Sequence, residues 1–477
     1  MGRQRLAWAG ALALMGAPAY AQTRIQPIAP GQPQLQPQLQ TVTQSETATG
    51  RSQTTGPLSG VGKTLADDGI YFRGLLTNEA AGNPTGGARQ GYTNVGQVYV
   101  GADLDLQKLI GWDGATFHVT VYRDYGNGLA NTTTGTFFKQ QDIYKNNFTK
   151  LHLGLVSLEQ KLFDDRLDVT VGRLGTTAFY GHLVPNCYFQ MGVTCGIPVV
   201  LNSEAGFGLL PSATWGANIQ YFVAPKIYVE TGAFEVNPEI SKTNGLDWST
   251  HDATGVTVPF EVGYVNPSFK QTAFPSALKG GYYASTAPRV NPNLNSKGES
   301  YGLYGGKQAN ANSLRQGGYI MGDRVIWRPD RNSNHSIDLF GGYIQPFEHD
   351  EVVDRQIYGG LLLRQPFPGR DLDTVGFSAT YLHLSGPELA YLRDARHRAG
   401  GTGGNSPNEW AFELNYGIGL TPAIRLTPNI QWVINPDNSA DPNISYVPKN
   451  MFVIGMKLTI NLAGVAGLPP PETAAPE

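Results

Sequence analysis

Apolar and polar residues alternate along most of this chain, and this pattern limits the folds open to it more than any other feature. The clearest case begins at Met451, where MFVIGMKLTINL places a large apolar residue at every second position from Phe452 to Leu462. A period of two is typical of a β-strand whose two faces meet different surroundings. About sixteen such segments follow one another across roughly 400 residues. The pattern therefore predicts an all-β chain.

Alternation fits both a soluble β-sandwich and a membrane barrel, so the connections between the segments must decide between them. They are long polar stretches and short turns, with no helical blocks to cover a sheet. Beyond the N-terminus no apolar run reaches the ~18 residues of a transmembrane helix. We therefore predict a transmembrane antiparallel β-barrel of about 16 strands of the outer-membrane porin type, with its apolar faces toward lipid and its polar faces toward a wet lumen.

The two ends of the chain have a different composition from the barrel region. Arg3 and Arg5, the apolar run 6–15 and Ala-Tyr-Ala at 19–21 have the order of a signal peptide, which predicts export. We divide the chain into a signal peptide (1–21), a disordered Gln/Pro-rich periplasmic arm (22–57), a barrel (58–462) and a Pro-rich tail (463–477). The predicted location is the bacterial outer membrane. With 35 basic and 38 acidic residues, nothing indicates nucleic acid as a partner.

Several long segments resemble one known family. They include LSGVGKTLADDGIYFRGLLTNEAAGNPTGG, LHLGLVSLEQKLFDDRLDVTVGRLG and EWAFELNYGIGLTPAIRLTPNIQWVINP, and from about residue 58 to 462 the chain is similar to the carbohydrate-selective porins of the OprB family. The resemblance implies sixteen strands and passive uptake of sugars or related polyols. Such barrels usually end in an aromatic residue, whereas here a tail follows the last strand. Either the tail is tolerated or Leu462 acts as an internal assembly signal.

The alternation also assigns side chains to the lumen, because residues of the parity opposite to the apolar face point inward. These residues are polar and aromatic, which suits a sugar, since a sugar has hydroxyl groups and an apolar C–H face. Alternatively, inward charges only pair across strands and stiffen the wall. The candidates for channel lining or solute contact are Arg73, Tyr99, Asp103, Arg173, Tyr188, Glu204, Glu230, Glu261, Arg364 and Glu413.

The segment 176–208 is long, rich in glycine and aromatic residues, and contains both cysteines of the chain. Cys187 and Cys195 lie close together in an exported protein, which predicts a disulfide that ties off this loop. The loop can narrow the bore from inside, or it can cap the mouth of the barrel from outside. Both arrangements remain open from the sequence.

We expect no enzyme, cofactor or metal site. The expected partners are permeating sugars, outer-membrane lipid and the barrel-assembly machinery, with the barrel as a monomer or a homotrimer. Two other functions remain to be weighed. GESYG at 298–302 matches the Gly-x-Ser-x-Gly pattern of serine hydrolases around Ser300, but it lies in a polar loop. The barrel can also anchor a binding or polysaccharide-export function carried by the arm.

Overall fold

The computed structural model describes residues 55–143, 150–266, 274–311, 314–329, 333 and 335–471. The predicted signal peptide and almost all of the predicted arm lie outside the described residues. Sixteen antiparallel strands form one closed barrel, in which the first strand pairs with the last. The predicted fold class and number of strands are therefore confirmed.

The strands follow one another around the barrel in chain order, with one hairpin inserted between the ninth and tenth barrel strands. The barrel strands are β1 (Ile70–Gly87), β2 (Gly91–Asp105), β3 (Ala115–Gly126), β4 (His152–Leu162), β5 (Leu167–Leu174), β6 (Thr214–Ala224), β7 (Ile227–Val236), β8 (Gly255–Asn266), β9 (Ser276–Ser285), β12 (Arg315–Trp327), β13 (Ser336–Pro346), β14 (Val353–Arg364), β15 (Thr374–Leu384), β16 (Asn408–Thr421), β17 (Ile424–Ile434) and β18 (Lys449–Asn461). The inserted hairpin is β10 (Arg289–Asn295) and β11 (Gln308–Ala311).

Short helices lie in the connections and at the two ends of the barrel. They are α1 (Ser59–Asp67), α2 (Leu106–Ile110), α3 (Val199–Ser203), α4 (Tyr301–Tyr304), α5 (Gly386–Arg398) and α6 (Leu462–Ala466), with a π-helical turn at Ala130–Thr134 and 3-10 turns at Thr176–Ala178, Val184–Tyr188 and Pro238–Lys242. None of the helices in the described part of the chain is long and apolar enough to cross a membrane.

The predicted parity of the strands agrees with the exposure of the side chains. On β2, Val100 is 50% exposed on the outer surface, whereas its neighbour Tyr99 is 5% exposed in the interior. The same contrast recurs on β18, where Ile454 is exposed and Val453 is buried. Because the outer face meets lipid, these exposed apolar side chains are in the surroundings that they favour.

The two ends of the barrel differ in the length of their connections. One end carries long connections, among them 175–213 and 286–314, while short links such as 225–226 and 422–423 lie at the other. In outer-membrane barrels the short turns face the periplasm and the long loops face outward. The start of β1 and the end of β18 both lie on the short-turn side, because the number of strands is even.

The two ends of the described chain meet on that periplasmic side. The backbone N–H of Leu58 donates to the carbonyl oxygen of Ala466 at 2.9 Å, which joins α1 to α6. Gly62 of α1 packs so closely against Leu468 that a Cβ placed there would lie 2.8 Å from its side chain. The first residues of the segment assigned from the sequence to a Pro-rich tail are thus a helix and a turn held against the barrel.

The sequence indicated no helical blocks, but the structure contains one of thirteen residues, α5. Ser385 caps its N-terminus, since the Ser385 hydroxyl accepts a hydrogen bond from the backbone N–H of Glu388 at 3.2 Å. The helix lies in the outer loop between β15 and β16 and packs against α4 and β10. It shapes the outer mouth of the barrel and leaves the sheet itself uncovered.

Candidate functional site

The segment between β5 and β6, residues 175–213, folds into the barrel, and we call it the inward loop. Most of its apolar side chains are buried, among them Phe179, Phe189, Val193 and Leu201, each at most 1% exposed. They form one apolar cluster with inward side chains of β1, β4, β5, β7, β9 and β12 to β18. Of the two arrangements that the sequence left open, the structure has the loop inside the barrel.

Aromatic rings make several of these contacts. The ring of Phe189 lies 5.4 Å from that of Phe340 on β13, measured between ring centroids. Phe207 meets Tyr283 on β9 edge-on at 5.8 Å. These pairs lie on two different strands, so the apolar contacts fix the loop against a broad part of the wall.

Polar groups of the wall also hold the backbone of the inward loop. Glu413 on β16 accepts hydrogen bonds from the backbone N–H groups of Gln190, at 3.0 Å, and Met191, at 2.8 Å. On β14, the side chain of Gln356 donates to the carbonyl oxygen of Val193 at 2.9 Å. On β18, Lys457 Nζ donates to the carbonyl oxygen of Phe189 at 3.1 Å. The buried backbone groups of the loop thus find partners on the wall.

The predicted disulfide is absent from the structure, which corrects that prediction. Cys187 and Cys195 are buried thiols that are not bonded to each other but lie close enough to hydrogen bond, and Lys457 Nζ is 3.2 Å from the sulfur of Cys195. Spacing and export predicted the proximity of the two residues. They do not set the approach of the Cβ atoms or the side-chain torsions that a bond requires. The loop is held instead by its apolar packing and by its hydrogen bonds to the wall.

Arg73 and Asp103, two of the predicted lining residues, meet on the neighbouring strands β1 and β2. The guanidinium of Arg73 on β1 lies 2.9 Å from the carboxylate of Asp103 on β2. The same carboxylate lies 2.7 Å from Nδ1 of His118 on β3, whose Nε2 is 3.2 Å from Glu159 on β4. These four residues form a continuous chain of contacts across four strands, which we call the charged row. Tyr99 lies beside the row, with its ring 5.3 Å from that of Tyr122.

Tyr188 of the inward loop lies between two arginines of the wall. The guanidinium of Arg364 is 5.0 Å from the ring centre of Tyr188, and that of Arg425 is 5.4 Å away. Arg364 also donates to the Tyr188 hydroxyl at 2.7 Å and pairs with Asp338 at 2.8 Å. The predicted residues Tyr188 and Arg364 are therefore in direct contact, in a cation–π arrangement.

The remaining predicted wall residues are held by their neighbours. Glu230 accepts hydrogen bonds from Asn218 and Gln220, at 2.8 and 3.1 Å. Glu261, its register partner on β8, accepts from Tyr228 and Tyr319 at 2.6 and 2.7 Å.

Arg173 lies apart from all of these residues, at the start of the inward loop. It donates to the carbonyl oxygen of Ala213 at 2.7 Å and covers the ring of Trp215. It thus helps to join the two ends of the inward loop.

Glu204 lies farther out, where the outer loops enclose a cavity of about 440 Å³ that we call the entry chamber. All of its lining residues belong to the outer connections or to the strand ends next to them. The charged ones are Lys139, Glu204, Arg289, Arg315, Asp350, Glu351 and Glu388, and the aromatic ones are Phe137, Tyr301 and Tyr391. Burial, with the neighbouring Glu351 carboxylate, raises the pKa of Glu204 well above its usual range.

Comparison with known proteins identifies the family. Residues 89–462 match the model of the carbohydrate-selective porin, OprB family. The chain belongs to this family. Porin B of Pseudomonas aeruginosa is 26% identical to this porin over 418 residues, which is 84% of this chain and 90% of the relative. A putative porin, QuiX, of Acinetobacter baylyi is 24% identical over 403 residues, 80% of this chain and 88% of the relative.

A solved structure has the same barrel. The high-pH structure of OprB from Pseudomonas putida superposes on this porin with a TM-score of 0.76 at 25% identity, and covers 87% of this chain and 99% of that one. The predicted family, the outer-membrane location and the function as a carbohydrate channel are confirmed.

Ser300, which raised the alternative of a hydrolase, has a structural place in this porin. Its hydroxyl accepts from the backbone N–H of Leu303 at 3.2 Å, which caps α4, and donates to Asp394 at 2.6 Å. It thus joins α4 to α5. Among the residues that the structure describes, no group of three or more His, Cys, Asp or Glu side chains could hold a metal ion.

The sequence reasoning missed several residues of this site. His118, Glu159 and Arg425 have inward parity on their strands, so the strand pattern could have found them. Arg289 and Arg315 of the entry chamber are the first residues of β10 and β12, where the strand pattern only begins, so they carried no such signal.

Proposed function

We propose that neutral monosaccharides and similar polyols diffuse through this porin along the charged row and past Tyr188, and that they leave it chemically unchanged. The observation that carries the proposal is the pairing of the charges on the wall. Arg73 and Asp103 neutralise each other, and His118 links them to Glu159. A polar wall with paired charges offers donors and acceptors to hydroxyl groups and only a weak net field to ions.

The inward loop supports the same path. Its packed apolar side chains leave little room beside them for a polar solute. Tyr188 presents a ring beside the guanidinium groups of Arg364 and Arg425, so apolar and hydrogen-bonding surfaces lie together. This combination matches the C–H face and the hydroxyl rim of a sugar ring.

Liposome swelling tests the proposal. Vesicles that contain the purified porin should swell quickly in isotonic glucose and more slowly in a disaccharide or a salt, because the path favours small neutral solutes. Removal of residues 22–56 is the control for a function carried by the arm, and we expect it to leave the swelling rate unchanged. If vesicles with the intact porin do not swell in glucose, the proposal is wrong.

A further inference from the structure

The entry chamber is enclosed by loops that are joined to one another. Six outer connections contribute to its lining, from residue 137 to residue 440. The Tyr301 ring of α4 stacks on the Tyr391 ring of α5, with centroids 5.5 Å and planes 23° apart. Asp437 accepts hydrogen bonds from the backbone N–H of Phe137, at 2.7 and 2.9 Å, across a further pair of loops. The walls of the chamber are therefore joined by direct contacts between the loops.

Arg289 stands in the chamber among three carboxylates. Its guanidinium pairs with Asp350 and Glu351, and lies 3.4 Å from Glu348. Charge-assisted contacts with several carboxylates hold a guanidinium in a fixed orientation. The charges that line the chamber are thus anchored by the loops.

The charges in the chamber nearly balance. Three basic and four acidic side chains line it, and burial, with the neighbouring Glu351 carboxylate, raises the pKa of one of the acids, Glu204. A chamber with balanced charges gives no strong preference to cations or anions. A neutral, hydroxyl-rich ligand is therefore better suited to it than a simple ion.

Two polar atoms of the lining residues have hydrogen-bonding capacity to spare. Among the described residues, Oε1 of Glu204 and Nε of Arg315 are buried and have no hydrogen-bond partner. Buried polar atoms of this kind normally find a partner in the protein, in water or in a ligand. Beside them the chamber offers the ring surfaces of Phe137, Tyr301 and Tyr391. A few convergent polar groups next to aromatic surface are typical of a small-molecule site, and so is a volume of about 440 Å³.

We propose that the entry chamber is a binding site for a neutral pyranose sugar, which collects the solute at the outer mouth before it reaches the charged row. The aromatic side chains cover the C–H face of the sugar, and the carboxyl and guanidinium groups bond its hydroxyls. This inference rests on the proposed function, since it concerns the same class of solute. It adds a second site, which is formed by the outer connections, whereas the charged row lies on strands β1–β4.

Ion-current recordings on the full-length porin in planar bilayers test this inference, with glucose added on the outer side only. We expect Tyr301→Ala and Tyr391→Ala each to raise the glucose concentration that half-blocks the current by several-fold. Tyr304→Ala is the matched control, because Tyr304 lies on the same helix, is 71% exposed and does not line the chamber. Arg315→Met provides a variant from another wall of the chamber if α4 or α5 does not tolerate the loss of a ring.

The outcomes separate the two proposals. Weaker block in the chamber variants with normal block in Tyr304→Ala supports the site. Unchanged block in Tyr301→Ala, Tyr391→Ala and Arg315→Met overturns it, while normal swelling of intact-porin vesicles in glucose would leave the proposed function standing. If those vesicles do not swell, the proposed function is wrong and this inference falls with it. Heat-dependent migration on gels checks that each variant forms a barrel.

Discussion

The charged row on strands β1–β4 holds its charges against one another, whereas Gln356, Glu413 and Lys457 on strands β14–β18 hold the inward loop. Asp103 has Arg73 and His118 as partners, both on neighbouring strands. Glu413 instead accepts hydrogen bonds from the loop backbone at Gln190 and Met191. The two carboxylates have the same parity and similar burial, yet one is held by neighbouring strands of the wall and the other supports a loop.

The difference follows from the hydrogen-bonding groups that lie next to each carboxylate. A buried carboxylate needs partners for its oxygens, and a buried loop needs partners for its backbone N–H groups. On the side of Glu413 these two needs meet, so the loop and the wall satisfy each other. On the side of Asp103 the strands of the wall supply partners for one another's charges.

The largest effect should come from removing the inward loop. Replacing residues 179–207 with a short Gly-Ser link removes the apolar packing that fills one side of the barrel, so we expect the single-channel conductance to rise several-fold and the preference for glucose over a disaccharide to disappear. Bilayer recordings and liposome swelling measure the two effects. Shortening the outer loop 239–252, which does not line the entry chamber, is the control. An unchanged conductance would mean that the loop does not narrow the path.

Opposite changes in ion selectivity should follow from separating the pair Arg73–Asp103. Arg73→Ala leaves a negative charge in excess and should favour cations, whereas Asp103→Asn leaves a positive charge in excess and should favour anions. Breaking a buried pair costs about 3–5 kcal/mol of stability, so folding must be checked for both variants. Reversal potentials in a KCl gradient give the sign of each change.

The double variant Arg73→Gln/Asp103→Asn restores the charge balance, and its reversal potential should return close to that of the unmodified porin. A shift of the same sign in both single variants would show that the pair lies away from the path of the ions.

The sequence could predict which residues point inward, because side-chain direction follows from the period of two along a strand. Tyr99, Asp103 and Glu413 all face the interior as that rule requires. The rule says nothing of what lies opposite a residue. Whether Glu413 meets water or the inward loop depends on a segment more than two hundred residues away in the chain, which no local pattern specifies.

The loops show more clearly what could not be predicted from the sequence. Glu204 was found because the segment around it is unusual in composition, but Arg289, Glu351 and Tyr391 come together in the entry chamber from three separate loops. Helix α5 was also missed: it lies in an outer loop, where the sequence indicated only long polar connections. Contacts between loops determine these features, so a reading of one segment at a time could not find them.

A smaller effect should come from Glu413→Gln. The amide keeps one acceptor oxygen but loses the charge that strengthens the bonds to Gln190 and Met191, so we expect a loss of about 1–3 kcal/mol and more frequent flickering of the current. Urea unfolding and current noise measure these effects. Glu239→Gln, in an exposed pair with Lys242, is the control and should change little. Equal effects from both variants would contradict the role of Glu413 as a support of the loop.

The smallest effect should come from the cysteines, because the wall holds the inward loop without a disulfide. We expect Cys187→Ser and Cys195→Ser to leave the conductance nearly unchanged. In the unmodified porin, both thiols should react with a maleimide after denaturation without any reductant, and mass spectrometry counts the added groups. The double serine variant should gain none. If labelling requires a reductant, the two sulfurs are bonded in the isolated protein, and a covalent link then adds to the contacts of Glu413 and Gln356 in fixing the loop.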